Sequence, residues 1–267
     1  MHYRYPFRTH YEHGRTKTKI CLTHIVFFSY FCGMIEVEIC ANSIASARAA
    51  KEAGAQRIEL CRELECGGLT PYYDDIAYCV SELGLRTHVL IRPRPGDFRY
   101  TASEMNEVNH TIIQCKQLGV QAVVVGFLTY DGQVNLELTR RIVEQAWPME
   151  VTFHRAFDEA RQDPLEALHA VAAAGCHRLL TSGQRPTALA GADTIRRMVE
   201  AVRSHDYDGY NLKILAGSGI TPLNVRSVVE RTGVGEVHGS CKTTLPDGTI
   251  QTDPDQVRAL LDACNQL

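Results

Sequence analysis

The sequence predicts an α/β protein whose eight parallel strands close into a barrel, the (β/α)8 or TIM-barrel fold. Its 267 residues match the size of one such domain and are too few for two ordinary enzyme domains. From Met34 onward, short apolar runs rich in β-branched residues alternate with amphipathic segments that end in glycine, the pattern of repeated strand–helix units. An open doubly wound sheet is the alternative, but no strand is followed by the glycine-rich fingerprint of a dinucleotide site.

Eight apolar segments are predicted to be strands. Those in the first half of the chain are residues 35–40 (IEVEIC), 57–61 (RIELC), 86–92 (RTHVLIR) and 121–127 (QAVVVGF). Those in the second half are residues 149–154 (MEVTFH), 177–182 (HRLLTS), 211–217 (NLKILAG) and 235–240 (GEVHGS). Because helices separate the strands throughout, the strands are expected to run parallel, and closure into a barrel is the simplest arrangement.

The helices between these strands carry start and stop signals. Thr101 and Glu104 form a predicted capping box, and Asp163, Thr221 and Asp253 are each predicted N-caps because proline follows at the first helical position. Glycines stand where left-handed residues would end the helices, at Gly54, Gly84, Gly119, Gly175 and Gly233.

Residues 1–33 differ from the rest of the chain because they are basic and rich in aromatic residues. The apolar run from Ile20 to Cys32 contains His24 and is shorter than the roughly 20 residues that a membrane-spanning helix needs. No small-residue cleavage site of a signal peptide precedes Met34. We interpret residues 1–33 as a poorly ordered extension or an over-long gene prediction, and residues 34–267 as a single TIM-barrel domain.

The composition excludes several classes of function. Hydrophobic residues make up 45% of the chain and charged residues 22%, which is typical of a folded protein with a large core. The formal net charge of −3 offers no basic surface for nucleic acid or for an anionic membrane. The ten cysteines are irregularly spaced, with no CxxC pair, so we expect reduced thiols and a cytoplasmic location.

Polar residues collect at the predicted carboxyl ends of the strands, where barrels carry their active sites. Because side chains two residues apart share a face of a strand, Glu38 shares one with Cys40, and Glu59 shares the equivalent face with Cys61. The charged residues in and after the strands form the predicted catalytic set: Glu38, Glu59, Arg92, His154, Arg155, Asp158 and His238.

Two interpretations of this set remain open. In the structural one, Glu38 and Glu59 pair with Arg92 and Arg155 in a layer of ions inside the barrel, because unpaired buried charges are costly. In the functional one, the set lines a cleft for a charged ligand, and His154 transfers protons because imidazole titrates near neutral pH.

Small residues in the loops after the last strands predict an anion site. Backbone N–H groups of such loops bind phosphate in many barrels, although small residues also serve tight turns. The residues predicted to contact the anion are Ser182, Gly217, Ser218, Gly219 and Lys242.

The cysteines suggest a different chemistry at the same end of the barrel. Cys40 and Cys61 are expected close together on adjacent strands, and two thiolates suit Cu(I). Cys66 follows in the next loop and is a possible third sulfur ligand. The alternative is that these cysteines are small buried apolar residues.

Eight sequence strings, in this order, resemble the CutC family of copper homeostasis proteins: EVEIC, AGAQRIELC, GGLTP, IRPRPGDF, VTFHRAFD, LTSG, AGSGIT and EVHGSCK. The resemblance runs from about Met34 to the end of the chain. It implies a cytoplasmic (β/α)8 barrel, a homodimer as an expected assembly, and Cu(I) bound through Cys40 and Cys61.

Two functional hypotheses follow. In the first, the protein buffers or passes on copper through Cys40 and Cys61 without turnover. In the second, it is an enzyme acting on a small anionic substrate, with phosphorylated compounds included, through the Glu, Arg and His set. The mutations that would separate them are Cys40→Ser with Cys61→Ser on one side and Glu59→Gln or His154→Ala on the other.

Overall fold

Eight parallel strands form a closed barrel in the computed structural model, which describes residues 34–204, 207 and 209–267. Each strand pairs with the next along the chain, and the eighth pairs with the first. The predicted fold is therefore confirmed. The predicted extension, residues 1–33, lies outside the described residues.

Seven strands fall within their predicted segments, one or two residues shorter at some ends, and the first ends one residue beyond its segment. They are β1 (Glu36–Ala41), β2 (Arg57–Leu60), β3 (Arg86–Leu90), β4 (Ala122–Val125), β5 (Glu150–Phe153), β6 (Arg178–Thr181), β7 (Lys213–Gly217) and β8 (Glu236–Gly239). After β8 comes an antiparallel hairpin of two short strands, β9 (Lys242–Thr244) and β10 (Ile250–Thr252).

A helix follows each barrel strand, and the hairpin precedes the last helix. The helices are α1 (Ile44–Glu52), α2 (Tyr73–Ser81), α3 (Ala102–Gln117), α4 (Leu136–Ala146), α5 (Pro164–Ala173), α6 (Ala192–Val202), α7 (Val225–Thr232) and α8 (Pro254–Asn265). Two short 3₁₀ helices, Leu64–Cys66 and Arg155–Glu159, lie in the loops after β2 and β5. None of the helices in the described residues is long and apolar enough to cross a membrane.

The predicted helix starts are confirmed at three of four places. Thr101 and Glu104 form the capping box of α3, and Asp163 and Asp253 cap α5 and α8 ahead of their prolines. The prediction at Thr221 is wrong, because α7 begins at Val225. The side chain of Asn224 explains the delay: it accepts from the backbone N–H of Thr221 at 2.9 Å and donates to the carbonyl of Gly219 at 2.7 Å, which holds a turn ahead of the helix.

The apolar core lies between the barrel and its helices. Ile39, Ile58, Val123 and Phe153 point outward from the strands and are fully buried against helical side chains. The buried cysteines Cys79, Cys115, Cys176 and Cys264 belong to this core, as predicted. Burial of this apolar surface is the main stabilising contribution of the fold.

The register of the strands sets the layers inside the barrel. Glu38 lies opposite Arg57 on one side and His238 on the other, and Cys40 lies opposite Glu59. Since every second side chain points inward, ionic residues form a lower layer near the amino ends of the strands and the cysteines lie above it.

Candidate functional site

A cavity of about 840 Å³ opens at the carboxyl ends of the barrel strands. The structure brings most of the predicted site residues to its wall: Cys40, Cys61, Glu59, Arg92, His154, Arg155, Asp158, Ser218, Gly219, His238 and Lys242. Glu38, Ser182 and Gly217 are not among the residues that line the cavity. The volume falls in the range of pockets that bind small molecules.

Cys40 and Cys61 lie together on one side of the cavity, as the E-x-C spacing predicts. Their Sγ atoms are 3.8 Å apart, and Leu90 and Val124 pack against them. The hydrogen bond with Cys61, together with burial, raises the pKa of the Cys40 thiol well above its ordinary value. Without a bound cation, Cys40 is therefore a thiol at neutral pH.

Glu59 and His238 join Cys40 in a cluster that could hold a metal ion. One ligand atom from each of the three residues lies within 4.8 Å of the others. His238 Nδ1 lies 2.8 Å from a Glu38 oxygen, while its Nε2 lies 3.6 Å from a Glu59 oxygen. A carboxylate behind the imidazole in this way fixes the ring and its tautomer in many metal sites.

The charges of this cluster are strongly coupled. Burial alone would lower the pKa of His238, but the carboxylate of Glu59, a hydrogen bond with Cys40 and the carboxylate of Glu38 raise it well above its ordinary value. Burial raises the pKa of Glu59, and the charge of His238 opposes that effect only in part. His238 is thus a buried cation held between two carboxyl groups.

Glu38 lies at the centre of the ionic layer below the cysteines. Its carboxylate is 2.7 Å from His88 Nδ1 and 3.0 Å from Arg57 Nε. Although burial raises its pKa, the interactions with His88, His238 and Arg57 bring that pKa well below the ordinary value. The structure has the layer of ion pairs that the structural interpretation expected, but not with Arg92 and Arg155. Inward positions of β2, β3 and β8 bring Arg57, His88 and His238 to Glu38 instead.

Arg92 follows β3, the strand next to β2, and its guanidinium binds backbone carbonyls rather than carboxylates. Its guanidinium donates to the carbonyls of Cys66 and Gly68 at 3.0 and 3.1 Å and to that of Gly96 at 2.9 Å. It also lies over the ring of Phe98, 5.0 Å from the centroid. Arg92 therefore joins the loops after β2 and β3 and brings its charge to the cavity wall.

His154 follows β5 and is buried beside Phe98, with ring centroids 5.0 Å apart. Its Nδ1 accepts a hydrogen bond from the backbone N–H of Ala156 at 3.1 Å. Burial and the nearby charge of Arg92 lower its pKa to about 3. The imidazole is therefore neutral at physiological pH, with its proton on Nε2, which differs from the near-neutral titration expected from the sequence.

Arg155 and Asp158 are engaged with each other and with the loop after β6. Arg155 Nε donates to Asp158 at 2.9 Å, and Ser182 donates to the same carboxylate through its backbone N–H and its hydroxyl. Thr181 Oγ1 and the N–H of Gln184 complete its donors. Because the carboxylate of Asp158 accepts all of these hydrogen bonds, its role in this structure is to hold the loop after β6 in place.

The predicted anion loop is only partly at the cavity. Ser218 has a left-handed backbone, with φ of 77°, and its hydroxyl donates to the carbonyl of Pro186 at 2.9 Å. A Cβ on Gly217 would lie 2.5 Å from Leu180 Cδ1, so a larger residue there would require the Leu180 side chain to move. Lys242 reaches the wall from the start of β9.

Sequence reasoning missed several residues that shape the site. Arg57 and His88 support the metal cluster, and Arg185 and Phe98 line the cavity. The inward position of Arg57 could have been predicted, because Arg57 is two residues before Glu59 and so shares its face of the strand. Nothing in the sequence showed that Arg185 would reach the cavity from a loop.

Comparison with known proteins identifies the family. The model of the CutC family matches residues 35–243. A CutC family protein of Chromobacterium violaceum is 45% identical over 206 residues, which cover 77% of this chain and 81% of that protein. A CutC family protein of Photobacterium profundum is 38% identical over 217 residues, covering 81% and 86% of the two chains.

Solved structures agree with this assignment. A crystal structure of a Streptococcus agalactiae protein, assigned as the copper homeostasis protein CutC, matches with a TM-score of 0.70 and 29% identity over 78% of this chain and 99% of that one. Phosphoribosylanthranilate isomerase of Thermotoga maritima matches with a TM-score of 0.56 and 15% identity, covering 88% of this chain and 100% of that one, a likeness of fold alone. Because the family model spans most of the barrel and relatives exceed a third identity, the chain belongs to the CutC family.

Proposed function

We propose that this protein binds Cu(I) at the mouth of its barrel and serves copper homeostasis in the cytoplasm. The observation that carries the proposal is the pair of buried sulfur atoms, Cys40 Sγ and Cys61 Sγ, 3.8 Å apart on a cavity wall. The copper homeostasis assignment of the Streptococcus agalactiae relative supports it.

The donor set suits a soft metal ion. Cu(I) is one of the soft ions that thiolates favour over harder metal ions, and imidazole is the next most suitable ligand here. The separation of the two sulfurs is less than twice a metal–thiolate bond of about 2.3 Å, so one ion can reach both. His238 Nε2 is the natural third ligand, because Glu38 holds the other ring nitrogen.

Copper binding at this place must release protons. The pKa of Cys40 is raised and His238 is held as a cation, so a metal ion has to displace the proton from each group that it binds. Glu59 lies beside both groups, 3.6 Å from His238 Nε2, and its raised pKa suits it to accept one of these protons. We therefore expect apparent copper affinity to increase with pH.

The test is anaerobic titration of the reduced full-length chain with Cu(I) against a competing chelator. We expect one tight site that is lost when Cys40→Ser and Cys61→Ser are combined. The matched control combines Cys115→Ala with Cys176→Ala, which removes the same number of buried thiols away from the cavity. Equal binding by the two double variants would refute the proposal.

A further inference from the structure

His154 carries a buried hydrogen-bond donor that the copper site does not use. Its side chain is 5% exposed and lines the cavity. Since Nδ1 accepts from Ala156, the ring proton is on Nε2, and that nitrogen has no hydrogen-bond partner among the described residues. A buried donor without an acceptor costs about 1–3 kcal/mol, so such a group calls for an explanation such as a ligand.

The backbone of β4 is shaped to admit this ring. A Cβ on Gly126 would lie 2.3 Å from both Cε1 and Nδ1 of His154. Phe98 covers another side of the ring. The imidazole is therefore fixed in one orientation, and the absence of a side chain at position 126 makes that orientation available.

The charge beside this donor is positive and uncompensated. Arg92 is 6% exposed, and no carboxylate of the described residues lies within ion-pair distance of its guanidinium. Its visible partners are three backbone carbonyls, which are neutral. The same charge helps to keep His154 neutral, because it lowers the pKa of that imidazole. A buried cation next to a free N–H favours a negatively charged oxygen.

We propose that His154 and Arg92 form a binding site for the oxyanion of a small organic metabolite, a phosphate or a carboxylate group. The Nε2–H of His154 donates a hydrogen bond to the oxyanion, and Arg92 supplies the charge that holds it. Neutral imidazole acts here as a fixed donor and not as an acid or a base.

The rest of the cavity limits the kind of ligand. Its volume of about 840 Å³ leaves room for a metabolite well beyond the size of one oxyanion. Arg185 and Lys242 also line it, and neither has a carboxylate within ion-pair distance among the residues that the structure describes. A ligand with a second anionic group therefore fits better than one with a single charge.

The site is independent of the proposed copper function. Cys40, Cys61, Glu59 and His238 belong to β1, β2 and β8, or directly follow them, whereas Arg92 and His154 follow β3 and β5. The test therefore uses the metal-free, reduced, full-length chain. Failure of copper binding would leave this proposal standing, and the reverse is also true.

The experiment observes the histidine side chains by ¹H–¹⁵N NMR during titration with inorganic phosphate and, separately, with succinate. Choline chloride at equal ionic strength is the control for screening. We expect a saturable shift of the His154 Nε2 resonance with at least one of the two anions and none with choline chloride. The anion that causes it identifies a phosphate or a carboxylate site. No saturable shift with either anion would overturn the proposal.

Three variants then separate the donor from general effects in calorimetric titrations. His154→Leu removes the donor and should weaken binding by about ten- to a hundredfold, the value of a hydrogen bond to a charged group. His154→Gln places an amide N–H near the position of Nε2 and should bind within a few-fold of the wild type. His110→Leu, on the exposed face of α3, is the matched control. If His154→Leu folds and binds the anion as tightly as the wild type, the assignment is contradicted. If His154→Leu does not fold, loss of anion binding by His154→Gln contradicts the assignment instead.

Discussion

Arg57 is a fully buried arginine whose guanidinium faces three carboxylates. It lies 2.7 Å from Glu236, 3.0 Å from Glu38 and 3.2 Å from Glu36. Arg178 adds a second buried cation, 2.9 Å from Glu236. Removing one member of such a network leaves a partner charge buried without compensation, which costs more than the network contributes as a whole.

Glu236→Gln is therefore expected to destabilise the protein by about 3–5 kcal/mol at pH 7, measured by urea unfolding. Burial raises the pKa of Glu236, but Arg57 and Arg178 bring it below its ordinary value. A carboxyl group with a lowered pKa stabilises the fold above its unfolded-state pKa of about 4.3, and this stabilisation is lost as pH falls through the folded-state pKa. The difference between wild type and variant should thus shrink below about pH 4.

Glu230→Gln is the matched control for that measurement. Glu230 pairs with Arg226 at 3.4 Å on the exposed surface of α7, where an ion pair contributes less than about 1 kcal/mol. Equal losses of stability in the two variants, or a difference that does not depend on pH, would contradict the importance assigned to the buried layer.

The protonation state of His154 could not be predicted from its residue type. Histidine at the end of a strand predicts a group that titrates near pH 7. Its actual state depends on burial, on the charge of Arg92 from a different strand and on the space at Gly126. None of these is local in sequence, so the position could be predicted and the protonation state could not.

The 3₁₀ helix after β5 and the loop after β6 are joined through Asp158. Its carboxylate accepts from Arg155 in its own helix, from Thr181 at the end of β6, and from Ser182 and Gln184 in the loop. Hydrogen bonds to a charged acceptor are stronger than neutral ones. The loop therefore owes its shape to one side chain from the preceding unit.

Asp158→Ala is expected to cost about 3 kcal/mol of unfolding free energy, because several buried donors lose a charged acceptor together. Asp158→Asn retains one acceptor oxygen, so its unfolding free energy should lie between those of Asp158→Ala and the wild type. Glu159→Gln, at the exposed neighbouring position, should change stability by less than about 0.5 kcal/mol. Urea denaturation curves measure all three, and a neutral Asp158→Ala would show that the loop does not depend on this carboxylate.

The strands were predictable as elements, and their contacts were predictable only in part. The strands are short apolar runs, most of them preceded within a few residues by glycine, and the sequence displays both features directly. The contact between Cys40 and Cys61 could be predicted, because side chains alternate between the two faces of a strand and consecutive strands pair with each other. The ion pairs of Glu38 did not, because strand stagger decides which inward side chains are level, and stagger has no signature in the sequence.

The whole barrel is built from residues 36–265, and every barrel strand has two neighbours. We therefore propose that a chain starting at Met34 folds without residues 1–33. Its thermal unfolding should be cooperative and within a few degrees of the full chain. A chain starting at Ser43, which lacks β1, opens the barrel and should not fold cooperatively. Loss of cooperative unfolding in the first of these chains would contradict the single-domain interpretation.

The buried layer around Arg57 determines how ligands enter and leave the barrel. Arg57 and Glu38 are 0% and 1% exposed, so within the part of the chain that the structure describes this layer closes the barrel interior at the amino ends of the strands. The lumen is shaped as a cup and not as a tube. A ligand that enters the barrel must leave by the same opening. A second ligand bound near the rim therefore blocks the exit of one bound deeper. If the proposed copper site is correct, the rate at which copper leaves the sulfur atoms will therefore depend on what else occupies the cavity.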